Sequence, residues 1–201
     1  MMDAADWDRR YADSERAFSS EPNPLLVELA SPLAPGRALD LAAGVGRNAL
    51  WLAGRGWQVT AVDFSRVGLE HAASRAGDLG VELECVQADL YDYRPAASAF
   101  DLVLIAYMHP QTAKRAAVFA AAAEAVAADG HLLVTGYDVT DPHHGGGPAD
   151  PERRFSPSRL SGAFPGIELE RCERVTRERQ TPEGPRSTVL TFAWGRRADG
   201  G

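Results

Sequence analysis

The sequence predicts an α/β fold, a three-layer sandwich with helices on both faces of a mostly parallel, seven-stranded sheet. Three observations predict it. Residues 37–53 run from an apolar stretch containing Asp40 through Gly44-Val45-Gly46 into a helical stretch. That is a buried strand, a tight turn and a helix start. Beyond it, apolar strand-like runs alternate with helical segments, the pattern that builds a parallel sheet through right-handed crossovers. Three successive strands also carry an acid, Asp40, Asp63 and Asp89, toward the end where open parallel sheets bind ligands.

Composition sets the frame. The 201 residues suit one domain with a substantial core. A formal charge of −7 and a pI near 5.2 disfavour nucleic acid as the main partner. Two cysteines, Cys85 and Cys172, fit a reducing compartment. No charged-then-apolar leader opens the chain, and no apolar run approaches about 18 residues. The expectation is a soluble, cytoplasmic protein with no membrane partner.

The elements follow in order. Residues 3–18 read as a polar helix with Trp7, Tyr11 and Phe18 at helical spacing. Pro22 and Pro24 start a helix over 25–30, and Pro32 and Pro35 stop it. The helix after Gly46 ends at Gly54-Arg55-Gly56. A second strand covers 57–65, a helix 66–78, a third strand 81–88 and a fourth 100–106. Residues 111–128 are alanine-rich and hence helical, with Asp129-Gly130 as the stop before a fifth strand over 131–137. Residues 138–154 form a long loop, either functional or disordered. A short helix over 156–164 and strands over 167–175 and 187–194, joined through Pro182-Glu183-Gly184-Pro185, complete the chain before a frayed tail.

The glycine turn is where chemistry enters. Gly44 and Gly46 let a ligand approach the backbone, and the following helix start offers unpaired N–H groups to an anionic group. Asp63 falls about 20 residues on, where a nucleotide-binding sheet places a carboxylate for the two ribose hydroxyls. Gly44-Val45-Gly46-Arg47-Asn48-Ala49 fits the dinucleotide pattern, so a nicotinamide cofactor is one reading. Charge argues for another. A pyrophosphate among Asp40, Asp63 and Asp89 meets carboxylates with little cationic compensation, whereas S-adenosylmethionine brings a sulfonium and an ammonium that these acids stabilise. Elsewhere, Asp138, Asp141, His143 and His144 have metal-ligand chemistry, but no strand holds them; a solvated loop is the preferred reading, with no metal. Arg171, Arg174, Arg177 and Arg179 alternate with Glu170, Glu173 and Glu178, which marks a mixed solvent-facing strand rather than an RNA contact.

These residues carry a resemblance. Leu39-Asp40-Leu41-Ala42-Ala43-Gly44-Val45-Gly46-Arg47-Asn48-Ala49 resembles the first motif of class I S-adenosylmethionine-dependent methyltransferases. Val62-Asp63-Phe64-Ser65, Gln87-Ala88-Asp89-Leu90 and Phe100-Asp101-Leu102-Val103 resemble the next three. The Arg47-Asn48-Ala49 continuation and Trp7-Asp8-Arg9-Arg10-Tyr11 are similar to a small-molecule branch that includes the tellurite-resistance and thiopurine methyltransferases. The resemblance spans residues 7 to about 137. It implies a Rossmann-like sheet with an antiparallel last strand, a helical lid over 1–36, the methyltransferase domain over 37–195 and a flexible tail over 196–201. It implies that Trp7 and Tyr11 close the pocket, and that Asp40, Ala42, Gly44, Gly46, Arg47 and Asn48 cradle the cofactor. Asp63 takes the ribose, Phe64 packs on the adenine, and Asp89 and Leu90 meet its polar edge; Ser65 and Ala106 complete the set. The family usually has glycine where Ala42 stands and often cysteine at Ala43, so the turn is expected to be slightly displaced.

The reading is a methyltransferase acting on a small molecule such as a thiol, a chalcogen oxyanion, a phenol or an amine. The fourth strand ends in Ala106-Tyr107-Met108-His109-Pro110, without the Asn/Asp-Pro-Pro-aromatic run in which amino-methylating DNA enzymes resemble one another and which stacks a flipped base. Tyr107 and His109 are the candidate catalytic residues. His109 either takes a proton near neutral pH or only shapes the turn into the next helix. The acceptor pocket is expected to be small, walled by Trp7, Tyr11, Tyr107, His109 and the long loop, in a monomer or homodimer. A nicotinamide oxidoreductase and a non-catalytic S-adenosylmethionine-binding regulator are the alternatives.

Overall fold

The computed structural model describes residues 3–13, 19–142, 147–181 and 184–198. Helices α1 (Ala4–Asp13) and α2 (Pro24–Ala30) precede β1 (Arg37–Leu41), α3 (Arg47–Ala53) and β2 (Gln58–Asp63). Next come α4 (Arg66–Leu79), β3 (Glu84–Gln87), β4 (Phe100–Ala106), α5 (Thr112–Ala125) and β5 (Val126–Tyr137). A 3-10 turn (Pro151–Arg153), α6 (Pro157–Leu160), β6 (Ile167–Thr181) and β7 (Gly184–Arg197) end the chain. The strands are hydrogen-bonded in the order β3-β2-β1-β4-β5-β7-β6. β1 and β2 pair parallel, as do β2 and β3, whereas β7 runs antiparallel to both β5 and β6. The fold class and the reversed last strand are as expected.

The chain divides into two compact units, Met1–Arg94 with Ala99–Leu104, and Pro95–Ser98 with Ile105–Gly201. In the first, Leu39, Leu41, Val59, Val62 and Leu102–Leu104 are buried, the near-continuous apolar runs of strands covered on two faces. Asn23 caps α2 by accepting from the Leu25 N–H, and Pro24 occupies the position that needs no donor. Ser65 caps α4 by accepting from the Gly68 N–H at 3.1 Å, and Gly80 closes that helix in the left-handed region. The third strand is shorter than expected, because Val81 is used in the helix stop, its N–H bonded to the Ala76 carbonyl. Between β1 and α3, Ala42, Gly44 and Gly46 have φ of 64°, 56° and 76°. A Cβ on Gly46 would stand 2.6 Å from the Ala72 methyl, so glycine is what lets α3 start against α4.

In the second unit α5 buries Val118, Phe119, Ala122 and Ala123, and Phe119 packs on Phe164 with ring centroids 4.9 Å apart. Three expectations need correction here. The alanine-rich helix ends at Ala125, not 128: Val126 is buried in extended conformation and Asp129-Gly130 lie within the strand run, so burial of a β-branched side chain overrides weak helix propensity. The final hairpin runs to Thr181 and back from Gly184, leaving only residues 182–183 between its strands, and Arg196 and Arg197 are paired in β7 rather than frayed. The loop after β5 is not a solvated one where it is described. Asp138 is fully buried, accepting from the Thr140 N–H at 2.8 Å, from the Thr140 and Thr191 hydroxyls and from Arg174 Nε at 3.0 Å. Asp141 Oδ1 accepts from the Val189 N–H at 3.0 Å. His143 and His144 lie outside the described residues, as does Phe18. No helix among the described residues is long and apolar enough to cross a membrane.

Ala42, at φ 64°, stands in a conformation that a glycine would take without cost, so the turn carries strain at this residue. A left-handed alanine is disfavoured by about 1–2 kcal/mol, and glycine loses about 0.5–1 kcal/mol in chain entropy. Ala42→Gly is therefore expected to raise stability by up to about 1 kcal/mol in urea unfolding. A less stable variant would contradict stored strain at this turn.

Candidate functional site

One carboxylate joins two turns in the first unit. Asp63 Oδ2 accepts from the Gly44 N–H at 2.8 Å and Oδ1 from the Ser65 N–H at 2.8 Å. Burial raises its pKa while those N–H groups pull it back down. Each oxygen retains lone-pair capacity for a further donor. The Ser65 hydroxyl in turn donates to Asp8 Oδ1, which also accepts from the Val67 N–H at 3.2 Å. These bonds fasten α1 across the start of α4. They hold Asp8 below its usual pKa, the Ser65 hydroxyl most of all.

Tyr11 is placed by that fastening. It is buried, its ring centroid 5.3 Å from that of Trp7, and burial raises its hydroxyl pKa. A Cβ on Gly44 would lie 2.6 Å from the Tyr11 Oη, and one on Gly68 3.1 Å from the ring. Both glycines make room for this tyrosine. Asp8 and Gly68 escaped the sequence reading as functional positions, although Asp8 sits inside the Trp7–Tyr11 motif.

Asp40 is the least satisfied carboxyl at these turns. It is 1% exposed, and neither carboxylate oxygen has a hydrogen-bond partner of good geometry, the Ala49 N–H contributing only weakly. Burial pushes its pKa up to about 7; Asp63 adds to the rise, and the Arg47 guanidinium and the Ala49 N–H offset it only in part. A buried, unpaired carboxylate beside a glycine turn suits a cationic ligand group. It opposes a pyrophosphate.

The remaining expected cofactor residues have mixed placements. Asn48 is buried, but its Oδ1 accepts from the Asn23 N–H at 2.9 Å and so fastens the start of α2. Arg47 Nη1 reaches the Glu21 carbonyl at 3.5 Å. Phe64 is half-buried, its carbonyl accepting from Gln87 Nε2 at 3.3 Å. Asp89 is exposed and accepts from the Tyr91 N–H at 2.9 Å; Leu90 is buried. Trp7, Tyr11, Ala42, Gly44, Gly46, Asp63 and Ser65 are thus gathered around the two turns.

Ala106, Tyr107 and His109 belong to the second unit. Tyr107 has φ of 62°, an unusual conformation for a large side chain; its N–H donates to the Thr135 carbonyl at 2.8 Å and its ring lies 5.5 Å from that of Tyr137. His109 is 6% exposed. Its Nδ1 lies 3.1 Å from the Arg153 carbonyl, and its Nε2 accepts from the Tyr137 N–H at 3.1 Å. Those partners assign the Nδ1–H tautomer and engage both ring nitrogens. Burial, with Arg153, Arg115 and Arg154 nearby, lowers its pKa to about 4, the Arg153 carbonyl opposing. Of the two roles expected for His109, this geometry matches the shaping of the turn: the ring joins β5 to the 3-10 turn and has no lone pair free to take a proton.

Comparison with known proteins points the same way as the motifs. Residues 38–130 match a family model described as a methyltransferase domain. A ribosomal RNA small subunit methyltransferase J of Rhodopseudomonas palustris (strain HaA2) is 35% identical over 102 residues, 44% of this chain and 46% of that protein. The chain spans less than half the length of the curated relatives it matches. A structure from work on conversion of a disulfide bond into a thioacetal group during echinomycin biosynthesis has a TM-score of 0.78 at 20% identity, covering 98% of this chain and 93% of that one. TehB from Haemophilus influenzae has a TM-score of 0.72 at 16% identity, covering 96% and 66%. At these identities the two structures establish the fold. The domain match falls on the methyltransferases, as the motifs do.

Two expected outcomes follow from the buried groups. Unfolded, the Asp40 carboxyl titrates near about 3.9, and folded, near about 7. Between those values folding takes up a proton, so stability falls as pH rises and the loss is complete above the folded pKa. Asp40→Asn removes this dependence, so its melting temperature should gain on the parent protein progressively from pH 4 to pH 7; a constant difference contradicts the buried, unpaired carboxyl. For His109, whose folded pKa lies below the ordinary 6.5, stability is present above that value and is lost as pH falls toward about 4. Its imidazole resonances should not titrate between pH 5.5 and 8 in heteronuclear NMR. A midpoint near neutrality would return His109 to the role of a base.

Proposed function

From the premise of a methyltransferase domain over residues 38–130, we propose that this chain transfers a methyl group from S-adenosylmethionine to a small molecule. The observation that carries the reading is the unpaired Asp40 carboxylate, buried beside a glycine turn already fixed by Asp63. Its charge suits the ammonium or sulfonium of that cofactor. The lone-pair capacity left on Asp63 suits the ribose hydroxyls, with Phe64 against the adenine and Asp89 and Leu90 at its polar edge. When bound, S-adenosylmethionine supplies a methyl group already activated by its sulfonium charge.

The chain's own share is positioning and the exclusion of water. α1, fastened through Asp8 to Ser65 and Val67, sets Tyr11 over Gly44 and keeps solvent from that part of the turn. Tyr107 is the candidate acceptor-side residue. With both His109 nitrogens engaged, the acceptors that suit this chain are those that reach the attacking state without a protein base, such as a thiolate or a chalcogen oxyanion; phenols and amines complete the class to be tested. The charge of −7 repels a polyanion, which favours a compact acceptor over RNA despite the ribosomal RNA methyltransferase among the relatives.

Two measurements test the proposal. Charge-assisted hydrogen bonds contribute about 1.5–3 kcal/mol each, so Asp63→Ala should weaken S-adenosylmethionine binding by at least about tenfold in calorimetry, with folding checked by circular dichroism. Unchanged affinity removes Asp63 from the site. In radiolabelled methyl-transfer assays over small thiols, chalcogen oxyanions, phenols, amines, tRNA and rRNA, transfer to small molecules is expected. Transfer to RNA alone overturns the acceptor class.

A further inference from the structure

A cationic cluster in the second unit is not used by the proposed chemistry. Arg115 of α5, Arg153 and Arg154 of the 3-10 turn region and Arg159 of α6 gather around residues 150–154. Arg115 Nη2 donates to the Glu152 carbonyl, and Arg159 Nη2 pairs with Glu152 Oε1 at 2.9 Å. Arg159 Nη1 also reaches the Pro151 and Arg154 carbonyls, at 2.6 and 2.9 Å. Arg153 Nε and Nη2 both donate to the His109 carbonyl, at 3.3 and 2.7 Å. Arg154 is 2% exposed, donating to the Pro148 and Asp141 carbonyls.

Among the described residues, the carboxylates set against Arg115, Arg153 and Arg159 are two, Glu152 and Asp150, and Asp150 Oδ1 is occupied by the Glu152 N–H at 2.9 Å. His109 adds no negative charge. A surplus of cation is therefore concentrated here in a chain whose net charge is −7. The main-chain carbonyls orient the arginines without neutralising them. Arg115 bears the strain of this arrangement: burial and the neighbouring Arg159 and Arg153 lower its pKa, with Glu152 and Asp150 opposing. Its Nε is buried and has no hydrogen-bonding partner. A buried N–H left unpaired costs about 1–3 kcal/mol, and a guanidinium edge is the donor that matches two oxygens of one anion.

We infer that Arg115, Arg153 and Arg159 around the 150–154 turn form an oxyanion-binding site, taking the carboxylate or phosphate group of a small molecule. The inference does not depend on the methyl-transfer reading, since none of these residues belongs to the cofactor turns. It is tested on the full chain with inorganic phosphate and with acetate, each against sodium chloride at equal ionic strength. In ¹H–¹⁵N spectra of the arginine side chains, phosphate or acetate is expected to shift the Arg115 Nε–H resonance while chloride does not. Which of the two acts at lower concentration separates a phosphate site from a carboxylate site. By calorimetry, Arg115→Gln and Arg153→Gln should each weaken that anion at least tenfold, and Arg115→Lys, which keeps the charge but loses the Nε donor, should weaken it as well. Asp63→Ala should leave it unchanged. No shift of the Arg115 resonance, an equal shift by chloride, or undiminished binding in folded Arg115→Gln overturns the inference.

Discussion

One buried carboxylate bonding two backbone amides organises the first unit. Asp63 holds the Gly44 N–H with one oxygen and the Ser65 N–H with the other, so the turn after β1 and the turn after β2 are tied to one side chain. From Ser65 the bonds continue to Asp8 on α1, and α1 returns Tyr11 over Gly44, where the chain of contacts began. A carboxylate at 3% exposure loses water, and the two charge-assisted bonds it makes offset part of that cost while burial still leaves its pKa raised. Asp40, with the same burial and no such bonds, has its pKa carried up to about 7.

That contrast is what the proposed cofactor site rests on. Two carboxylates on adjacent strands, β1 and β2, would repel one another less if one were paired and the other met a cation. The glycine turn leaves the backbone open beside them, and Ala42 accepts a left-handed conformation to keep it so. Strain at Ala42 and desolvation at Asp40 both lie at the ligand end of these strands, where such costs are found when binding uses them.

Much of this was legible in the sequence. Strand and helix period, the glycine turn and the acids near strand ends are local signals, and the order of elements followed from them. What was not legible depended on partners far along the chain. Asn48 has the chemistry of a ligand contact, and the sequence does not show that its Oδ1 also holds the Asn23 backbone, 25 residues earlier. Asp138 sits in a glycine- and proline-rich stretch that reads as solvated, yet Thr191, 53 residues on, buries it by closing the β5–β7 pairing. Alanine content predicts a helix through Val126 because propensity is additive along the chain and burial is not. The full length of the β6–β7 hairpin was hidden for a similar reason: the charged alternation of β6 marks an exposed edge strand but does not say where its pairing stops.

The same distinction decides how far chemistry can be read from residue type. A histidine after the fourth strand has an ordinary pKa near neutrality, which invites the role of base. Three features that only the folded chain supplies remove that invitation: a carbonyl for Nδ1, an N–H for Nε2, and guanidiniums near a buried ring. The ring then acts as a strut, tying the end of β5 to the turn at Arg153 in one tautomer. A neutral strut is worth having there because protonation would place a cation among arginines already short of counter-charge. With the His109 ring committed to structure, the acceptors proposed above are those that reach the attacking state without it.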